Sequence, residues 1–460
     1  MFLKDLLLQV LFSYKTVRFR KIGFGIKNFF SAKIRNIKQE RQRIKMKKLF
    51  KILLKIFKAV LIIIAVMVTL VVVLDALWIY VPQWKASSKI EAVADYAKPV
   101  SEINVRDEAR IIAIGEASHG NADFQTLKLE VLKQMVEKKG ARCFALEADF
   151  SDGIVINNYI HGLSYDTAEE AIGGLVFNIY QTEEVLEMIE WMRAYNDRVE
   201  PDEQLSFYGF DMQNTYNGTI LLADFCKANE IAASDDIVAD IESINKQLVE
   251  RSEELKDVAN YDLMVRETEI IKQNIVHFDN YNPDDYIGSN NSRDSYMAEN
   301  VAWISDYEKS LGHDVIVIAG HNGHVQKKAQ FYDSMGSHLA EKYGKEYFVI
   351  STDYYHTKCN INIAGPDNSR GEYHFCSADP LAKQAKYFEG SYYLNFDEVE
   401  EGSEVAEIIS SPMTMGSLGE GYSFMMKIVP TTNRVKFIPE ELGDAMIFVY
   451  DAKPFTLLSK

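Results

Sequence analysis

The sequence has little cysteine and lacks the signature motifs of several common enzyme classes. Only four cysteines occur among 460 residues, and no CxxC pair is present, which argues against a disulfide scaffold and a cysteine-ligated zinc site. The chain has no GxSxG elbow, which argues against a covalent serine esterase. It also has no phosphate-binding loop of the GxxxxGK type, which argues against a nucleotide site of that kind.

Basic residues are scarce everywhere except near the amino terminus. The net charge is −17, yet residues 1–58 hold seventeen Lys and Arg against Asp5 and Glu40, about +15, so the remainder carries about −32. A body this acidic repels the phosphate backbone. We therefore expect no nucleic acid among the partners of this protein.

The basic region ends in a long apolar run. Residues 59–74 contain only one polar side chain, Thr69, and the extended segment 51–81 is long enough to cross a bilayer of roughly 30 Å. Lysines precede the run, and Trp78 and Tyr80 follow it, as is typical of the two interfaces of a membrane. We predict a single transmembrane helix over 51–81, with membrane lipid as its partner.

The positive-inside rule then sets the topology of a single-pass protein in the cell membrane. It predicts a basic cytoplasmic tail at 1–50 and an extracytoplasmic domain at 82–460. The alternative is a cleaved signal peptide, because Met46 and the lysines after it begin like a secretory leader. The length of the apolar core and the lack of a small-residue cleavage site after Leu74 favour the uncleaved anchor.

Beyond the apolar run, strand-like and helix-like patterns alternate. Near-continuous apolar strands of this kind are typical of a mainly parallel sheet covered on both faces. The segment 236–277 is long, charged and helical in pattern, and we interpret it as a helical insertion. The predicted strands are 109–115, 142–147, 205–210, 314–319, 346–351 and 445–450.

Polar side chains follow five of these strands where each strand ends. In a parallel α/β sheet, residues just past the carboxyl ends of strands line one crevice. Three histidines and two glutamates at such positions predict one functional site, although its two histidine clusters lie about 200 residues apart. The strand-end residues are Glu116 and His119, Glu147, Asp211, His321 and His324, and Asp353.

Such a set allows two kinds of hydrolysis. A histidine held by a carboxylate takes a proton from water, while a second histidine assists the carbonyl or the leaving group. Alternatively, the set supplies ligands for a catalytic Zn or Mn ion. A third hypothesis is a surface protein that binds a ligand here without turnover. The five residues common to both hydrolytic hypotheses are Glu116, His119, Glu147, His321 and His324.

Six motifs in order resemble those of the erythromycin esterase family, over roughly residues 95–455. They are Gly115-Glu116-Ala117-Ser118-His119-Gly120, Leu146-Glu147, Tyr208-Gly209-Phe210-Asp211-Met212-Gln213, Arg293-Asp294 with Met297-Ala298-Glu299-Asn300, Ala319-Gly320-His321-Asn322-Gly323-His324, and Met335-Gly336-Ser337-His338-Leu339. The resemblance implies a three-layer α/β/α fold with a helical insertion. It also implies hydrolysis of an ester or lactone without a metal or other cofactor.

The resemblance also implies roles for individual residues. His119 would be the general base that activates water, Glu116 and Glu147 would orient it, and the other two histidines would polarise the carbonyl. Lys128 stands where the family usually has Arg, and Asp123 where it usually has Glu. The substrate would be a small-molecule or cell-surface ester, and action on a macrolide would confer antibiotic resistance. Four residues would contact the substrate: Lys128, Asp123, Asp211 and Arg293.

Overall fold

The computed structural model describes residues 2–329, 331–363, 369–429 and 432–458, with only the backbone described for 2–30 and 32. The chain forms two compact units, residues 1–74 and 75–460. Helix α1 runs from Phe2 to Asp75. The stretch Lys33–Lys85 is helical, and its most apolar window is unburied and apolar enough to cross a membrane. A signal sequence near the amino terminus meets the same description.

The second unit is built on a nine-stranded sheet. Its main path runs β3-β2-β4-β1-β5-β11-β7, in which every neighbouring pair is parallel except the edge pair β11–β7. A separate antiparallel pair joins β8 and β10. The strands are β1 Ile111–Glu116, β2 Cys143–Asp149, β3 Ser206–Asp211, β4 Ile316–His321, β5 Tyr347–Ile363, β6 Arg370–Cys376, β7 Ser391–Asn395, β8 Met413–Gly416, β9 Gly421–Tyr422, β10 Arg434–Phe437 and β11 Ala445–Ala452.

Helices occupy most of the connections between the parallel strands. A short π-helix, Ala76–Tyr80, links α1 to α2. The remaining α-helices are α2 Val81–Lys85, α3 Ala122–Lys139, α4 Phe150–Ile160, α5 Ala168–Gly173, α6 Glu183–Asn196, α7 Tyr216–Ala228, α8 Ile241–Glu250, α9 Ser252–Leu255, α10 Tyr261–Asp279, α11 Tyr286–Ser310, α12 Asn322–Val325, α13 Met335–Tyr343, α14 Glu404–Ile409 and α15 Pro439–Leu442.

Alternate residues of the central strands face opposite helical layers, as the period of a strand requires. In β1, Ile112 and Ile114 pack in one core with α3 and α6. Ile111 and Ala113 pack in the other core with α7, α10 and α11. The fold is therefore a three-layer α/β/α sandwich with a mainly parallel sheet, as predicted.

The helical insertion is present, and it consists of α8, α9 and α10. The sequence pattern located the start of β5 but not its length, since β5 continues through Ile363 instead of ending at 351. Residues 356–362 of this extension pair with β6, and Asn362 and Ile363 also pair with β9. It brings the segment between β8 and β10 toward the carboxyl ends of the central strands.

Candidate active site

The sheet order brings the predicted site residues to neighbouring strand ends. β4 lies between β1 and β2, and β2 also pairs with β3. Glu116 at the end of β1 is the register partner of His321 at the end of β4. Glu147 lies in β2, and Asp211 ends β3. Residues far apart in sequence thus meet because parallel strands end on the same edge of the sheet.

His119 is held by Glu116. Its Nδ1 lies 2.7 Å from Glu116 Oε1, and its Nε2 has no hydrogen-bond partner among the described residues. Burial lowers the pKa of His119, but the hydrogen bond and charge of Glu116 outweigh it, so the pKa is raised. An imidazole with one nitrogen on a carboxylate and the other unbonded is arranged as a general base.

Lys128 lies on the far side of Glu116. Its Nζ is 2.8 Å from Glu116 Oε2 and donates to Gln125 Oε1 at 2.9 Å. Burial raises the pKa of Glu116, but the charge on Lys128 and the hydrogen bond with His119 outweigh it and lower the pKa to about 2. Glu116 is therefore ionised at neutral pH, bonded to a cation on one side and to His119 on the other.

A second carboxylate, Glu147, is anchored by Arg293 from α11. Arg293 Nη2 donates to Glu147 Oε1 at 2.9 Å and to Asp211 Oδ2 at 2.6 Å. The backbone N–H of His321 donates to Glu147 Oε2 at 2.6 Å. Burial raises the pKa of Glu147, but His324, Arg293 and His119 outweigh it and lower the pKa. The guanidinium therefore lies between two buried carboxylates, of which Glu147 is ionised.

His324 is fixed through both ring nitrogens. Its Nδ1 lies 2.9 Å from Asp294 Oδ1, and Arg293 Nη1 donates to its Nε2 at 3.0 Å. This geometry describes the neutral ring with its proton on Nδ1. Burial lowers the pKa of His324, but the charges on Glu147 and Asp294 outweigh it and raise the pKa.

His321 is engaged by backbone groups on both sides. Its Nε2 lies 3.1 Å from the carbonyl oxygen of Leu418, and Gly323 N–H donates to Nδ1 at 3.1 Å. Burial and the charge on His119 lower the pKa of His321 to about 3, so the ring is neutral. Its ring centroid lies 4.8 Å from that of His119.

The three histidines line one cleft of about 390 Å³. Aromatic residues of α11 and of the segment after α12 form part of its wall, and the β8–β10 pair forms another part. The lining includes Tyr286, Asn290, Phe331, Tyr332, Met415, Gly416, Gly419 and Arg434. The cleft is thus polar at the histidines and partly aromatic elsewhere.

The structure places some predicted residues away from this cleft. Lys128 is 1% exposed and does not line it, because its side chain points at Glu116 from behind. Asp123 accepts a hydrogen bond from the backbone N–H of Lys453 at 2.6 Å. Asp211 is buried beneath Arg293. None of these three side chains lines the cleft, so their positions do not support the expected direct contacts with substrate.

Asp353 also differs from the other strand-end residues. It is fully buried and accepts hydrogen bonds from the backbone N–H groups of Gly416 and Tyr354. Because β5 continues to Ile363, Asp353 lies inside the strand and not at its end, and its carboxylate binds the backbone of Gly416 in β8 instead of facing the histidines.

Sequence reasoning missed two features of the site. The first is Asp294, which holds His324. One indication of this role was present in the sequence, because Asp294 stands next to Arg293 in one of the family motifs. The carbonyl of Leu418 contacts His321, but a backbone group in an irregular loop leaves no residue-type signal.

A metal site is the alternative for the same five residues, Glu116, His119, Glu147, His321 and His324. Within the described ranges, no group of three or more His, Cys, Asp or Glu side chains is arranged to hold an ion. Glu116 is already paired with Lys128, and Glu147 with Arg293, so two cations occupy the carboxylate oxygens that a metal would need. This donor set does not fit a Zn or Mn centre of the usual kind.

Comparison with known proteins gives relatives of this chain. Erythromycin esterase type II of Escherichia coli is 23% identical over 312 residues, covering 57% of this chain and 72% of the relative. The putative hydrolase YbfO of Bacillus subtilis strain 168 is 23% identical over 296 residues, covering 52% of this chain and 64% of the relative.

Solved structures share the fold. A Bacillus cereus protein superimposes with a TM-score of 0.64 at 20% identity, covering 80% of this chain and 98% of that chain. A mutant of the erythromycin esterase EreC in its open conformation gives a TM-score of 0.51 at 18% identity, covering 77% and 93%.

A family model described as erythromycin esterase matches residues 136–452, more than half of the chain. The matched range begins after Glu116 and His119 and includes Glu147, Arg293 and the second histidine cluster. This chain belongs to the erythromycin esterase family.

Proposed function

We propose that this protein hydrolyses a carboxylic ester or lactone with water activated by His119. The observation that carries the proposal is the placement of His119, with Nδ1 on Glu116 and Nε2 at the cleft. The family name supports ester hydrolysis, and the absence of a GxSxG elbow from the sequence favours water over a serine as the nucleophile.

The proposed reaction begins when Nε2 of neutral His119 takes a proton from water. The resulting hydroxide forms a bond to the carbonyl carbon, and the negative charge moves to the carbonyl oxygen. When the intermediate collapses, the carbon–oxygen bond to the alcohol breaks and the alkoxide takes the proton back from His119. Glu116, kept ionised by Lys128, stabilises the imidazolium between these two steps.

The polarising role implied for His321 sets a condition on substrate binding. In the structure its Nε2–H donates to Leu418 O, so the substrate carbonyl must replace that oxygen as the acceptor. His324 Nε2 already accepts from Arg293, so the positive charge of Arg293 lies behind the His324 ring that lines the cleft. We infer that Arg293 acts with His324 on the developing oxyanion.

Two measurements test this proposal together. A panel of esters and lactones, with erythromycin among them, is incubated with the purified chain in EDTA, and hydrolysis is expected to persist. Mass spectrometry of the protein during the first turnover should find no acylated species, because water attacks the carbonyl directly. A protein mass increased by the acyl group, with a burst of alcohol release, would indicate a covalent intermediate, and loss in EDTA with rescue by Zn or Mn would indicate a metal enzyme.

We further propose that α1 is an uncleaved membrane anchor with the basic tail in the cytoplasm and the catalytic unit outside. The lysines before the apolar run and the aromatic residues after it support this orientation. Protease added to intact cells should digest the catalytic unit and spare the tail. Mass spectrometry of the mature chain should find an intact apolar helix, whereas an amino terminus just beyond Leu74 would indicate a cleaved leader.

A further inference from the structure

An exposed apolar patch lies directly beyond the apolar helix. We define the Trp84–Phe424 patch as Leu77, Tyr80, Trp84, Phe424 and Met425. All five side chains are exposed, with Trp84 at 75% and Phe424 at 67%. Soluble domains seldom expose large aromatic side chains together, and such patches mark contact surfaces.

The two segments of the patch lie side by side. Arg434 Nη1 donates to the carbonyl of Trp78 at 2.6 Å, and Lys436 Nζ lies 4.8 Å from the centre of the Trp78 ring. Residues Ile79 and Gln83 line one cavity together with Met426 and Lys427. The chain leaving the apolar helix is therefore bound to β10 and lies near the segment that carries Phe424 and Met425.

The charge around the patch is opposite to that of the rest of the catalytic unit. Lys85, Lys427 and Lys436 are all exposed beside it, in a region of the chain that carries about −32 overall. Exposed Trp, Tyr and Phe interleaved with Lys are typical of surfaces that sit among lipid headgroups. A cytoplasmic or periplasmic protein partner would not need this combination.

The position of the patch along the chain points to the same occupant. A hydrocarbon core of roughly 30 Å takes about twenty residues of helix. The helix continues to Lys85, so a span that begins at Ala59, just after Lys58, ends near Trp78. Groups bound to Trp78 thus lie in the headgroup layer, which adds roughly 6 Å beyond the core.

We propose that the Trp84–Phe424 patch docks the catalytic unit onto the outer leaflet of the membrane that α1 crosses. This proposal rests on the proposed anchor. Arg434 both lines the cleft and binds Trp78, so the lipid contact and the cleft wall share the β8–β10 pair. The cleft is then held beside the bilayer surface, where amphipathic esters concentrate.

The test uses the full chain reconstituted in phosphatidylcholine–phosphatidylglycerol vesicles. Met425→Cys carries an environment-sensitive fluorophore in a Cys376→Ser background, since the other three cysteines are buried. The control is Tyr216→Cys on α7, where the side chain is 66% exposed, against 51% for Met425. We expect a blue shift and quenching by spin-labelled lipid at 425, and neither at 216. Adding Phe424→Asp should reduce the quenching at 425, whereas adding Ile220→Asp should leave it unchanged.

Three other outcomes would overturn the proposal, and they can be distinguished from one another. Equal, weak quenching at 425 and 216 would place the patch in water while leaving the anchor intact. A blue shift at 425 without lipid quenching would indicate a protein contact, such as a second copy of the chain. Failure of the full chain to co-float with vesicles would refute the anchor itself, and ester hydrolysis measured on the same sample reports separately on catalysis.

Discussion

Lys128 forms a buried ion pair with Glu116, 2.8 Å apart, with both side chains withdrawn from solvent. Removing one partner of such a pair leaves an uncompensated buried charge, at a cost of about 3–5 kcal/mol. We expect Lys128→Met to lower the free energy of unfolding by that amount in denaturant titrations. Lys128→Arg should retain most of it, because it keeps the charge.

The control for this prediction is Lys345→Met, an exposed lysine whose loss should change the free energy of unfolding by no more than about 0.5 kcal/mol. Equal effects of the two methionine substitutions would mean that the pair with Glu116 contributes little.

The pH dependence of hydrolysis should report on His119. The base must be neutral, and Glu116 raises its pKa above the ordinary value of 6.5. We expect kcat/KM to rise with pH through a midpoint above 6.5, and Glu116→Gln to move that midpoint down as well as lowering the rate. A pH–rate profile of both proteins checks this. A midpoint that Glu116→Gln leaves unchanged would assign the titration to another group.

Asp294 should act through the tautomer of His324. Its Oδ1 accepts from the backbone N–H of Met335 at 2.8 Å and also faces Nδ1 of His324. In Asp294→Asn, the bond from Met335 would hold the amide oxygen at the Oδ1 position, so the amide nitrogen would take the Oδ2 position, 3.0 Å from Nδ1. This donor would favour the tautomer with its proton on Nε2, which would then oppose Arg293. We expect kcat to fall by about 10²-fold or more, while the exposed control Asp333→Asn keeps its rate. If Asp294→Asn kept the wild-type rate, His324 would have no role in the reaction that depends on its tautomer.

Glu267 should make stability depend on pH. Its side chain is 1% exposed, and neither carboxylate oxygen has a partner in the described part of the chain. Burial, with the negative charge of Asp152, raises its pKa well above the ordinary 4.5. The folded state therefore binds more protons than the unfolded state above about pH 4.5, so stability falls as the pH rises through this range.

Glu267→Gln removes this titration, and we expect its free energy of unfolding to decline less between acid and neutral pH than that of the wild type. Glu250→Gln, at an exposed position in α8, is the control and should follow the wild-type curve. Parallel curves for all three proteins would show that Glu267 does not titrate in the native state.

Much of the architecture could be predicted because it depends on local patterns. The apolar runs located β1, β2, β3, β4 and β11 to within a few residues, and the rule for parallel strand ends brought Glu116, Glu147 and the histidines together. Strand order, the antiparallel edge β7 and the extension of β5 depend on long-range pairing, which composition and spacing do not encode.

The roles of the charged residues were harder to predict than their identities. Lys128 and Glu116 are twelve residues apart on a strand and the following helix, and only the docking of α3 decides that the lysine approaches from behind the carboxylate. Asp353 is buried in the core because β8 covers it, with the backbone of Gly416 bound to its carboxylate. Side-chain direction at such positions depends on packing that the sequence pattern leaves open.

The substitution His119→Asn tests whether His119 is the base that activates water. It keeps a polar side chain near Glu116 but removes the base, so we expect a loss of about 10²–10⁴-fold in kcat, with an unchanged circular dichroism spectrum and unfolding midpoint. A folded His119→Asn enzyme that hydrolyses the ester at the wild-type rate would contradict it.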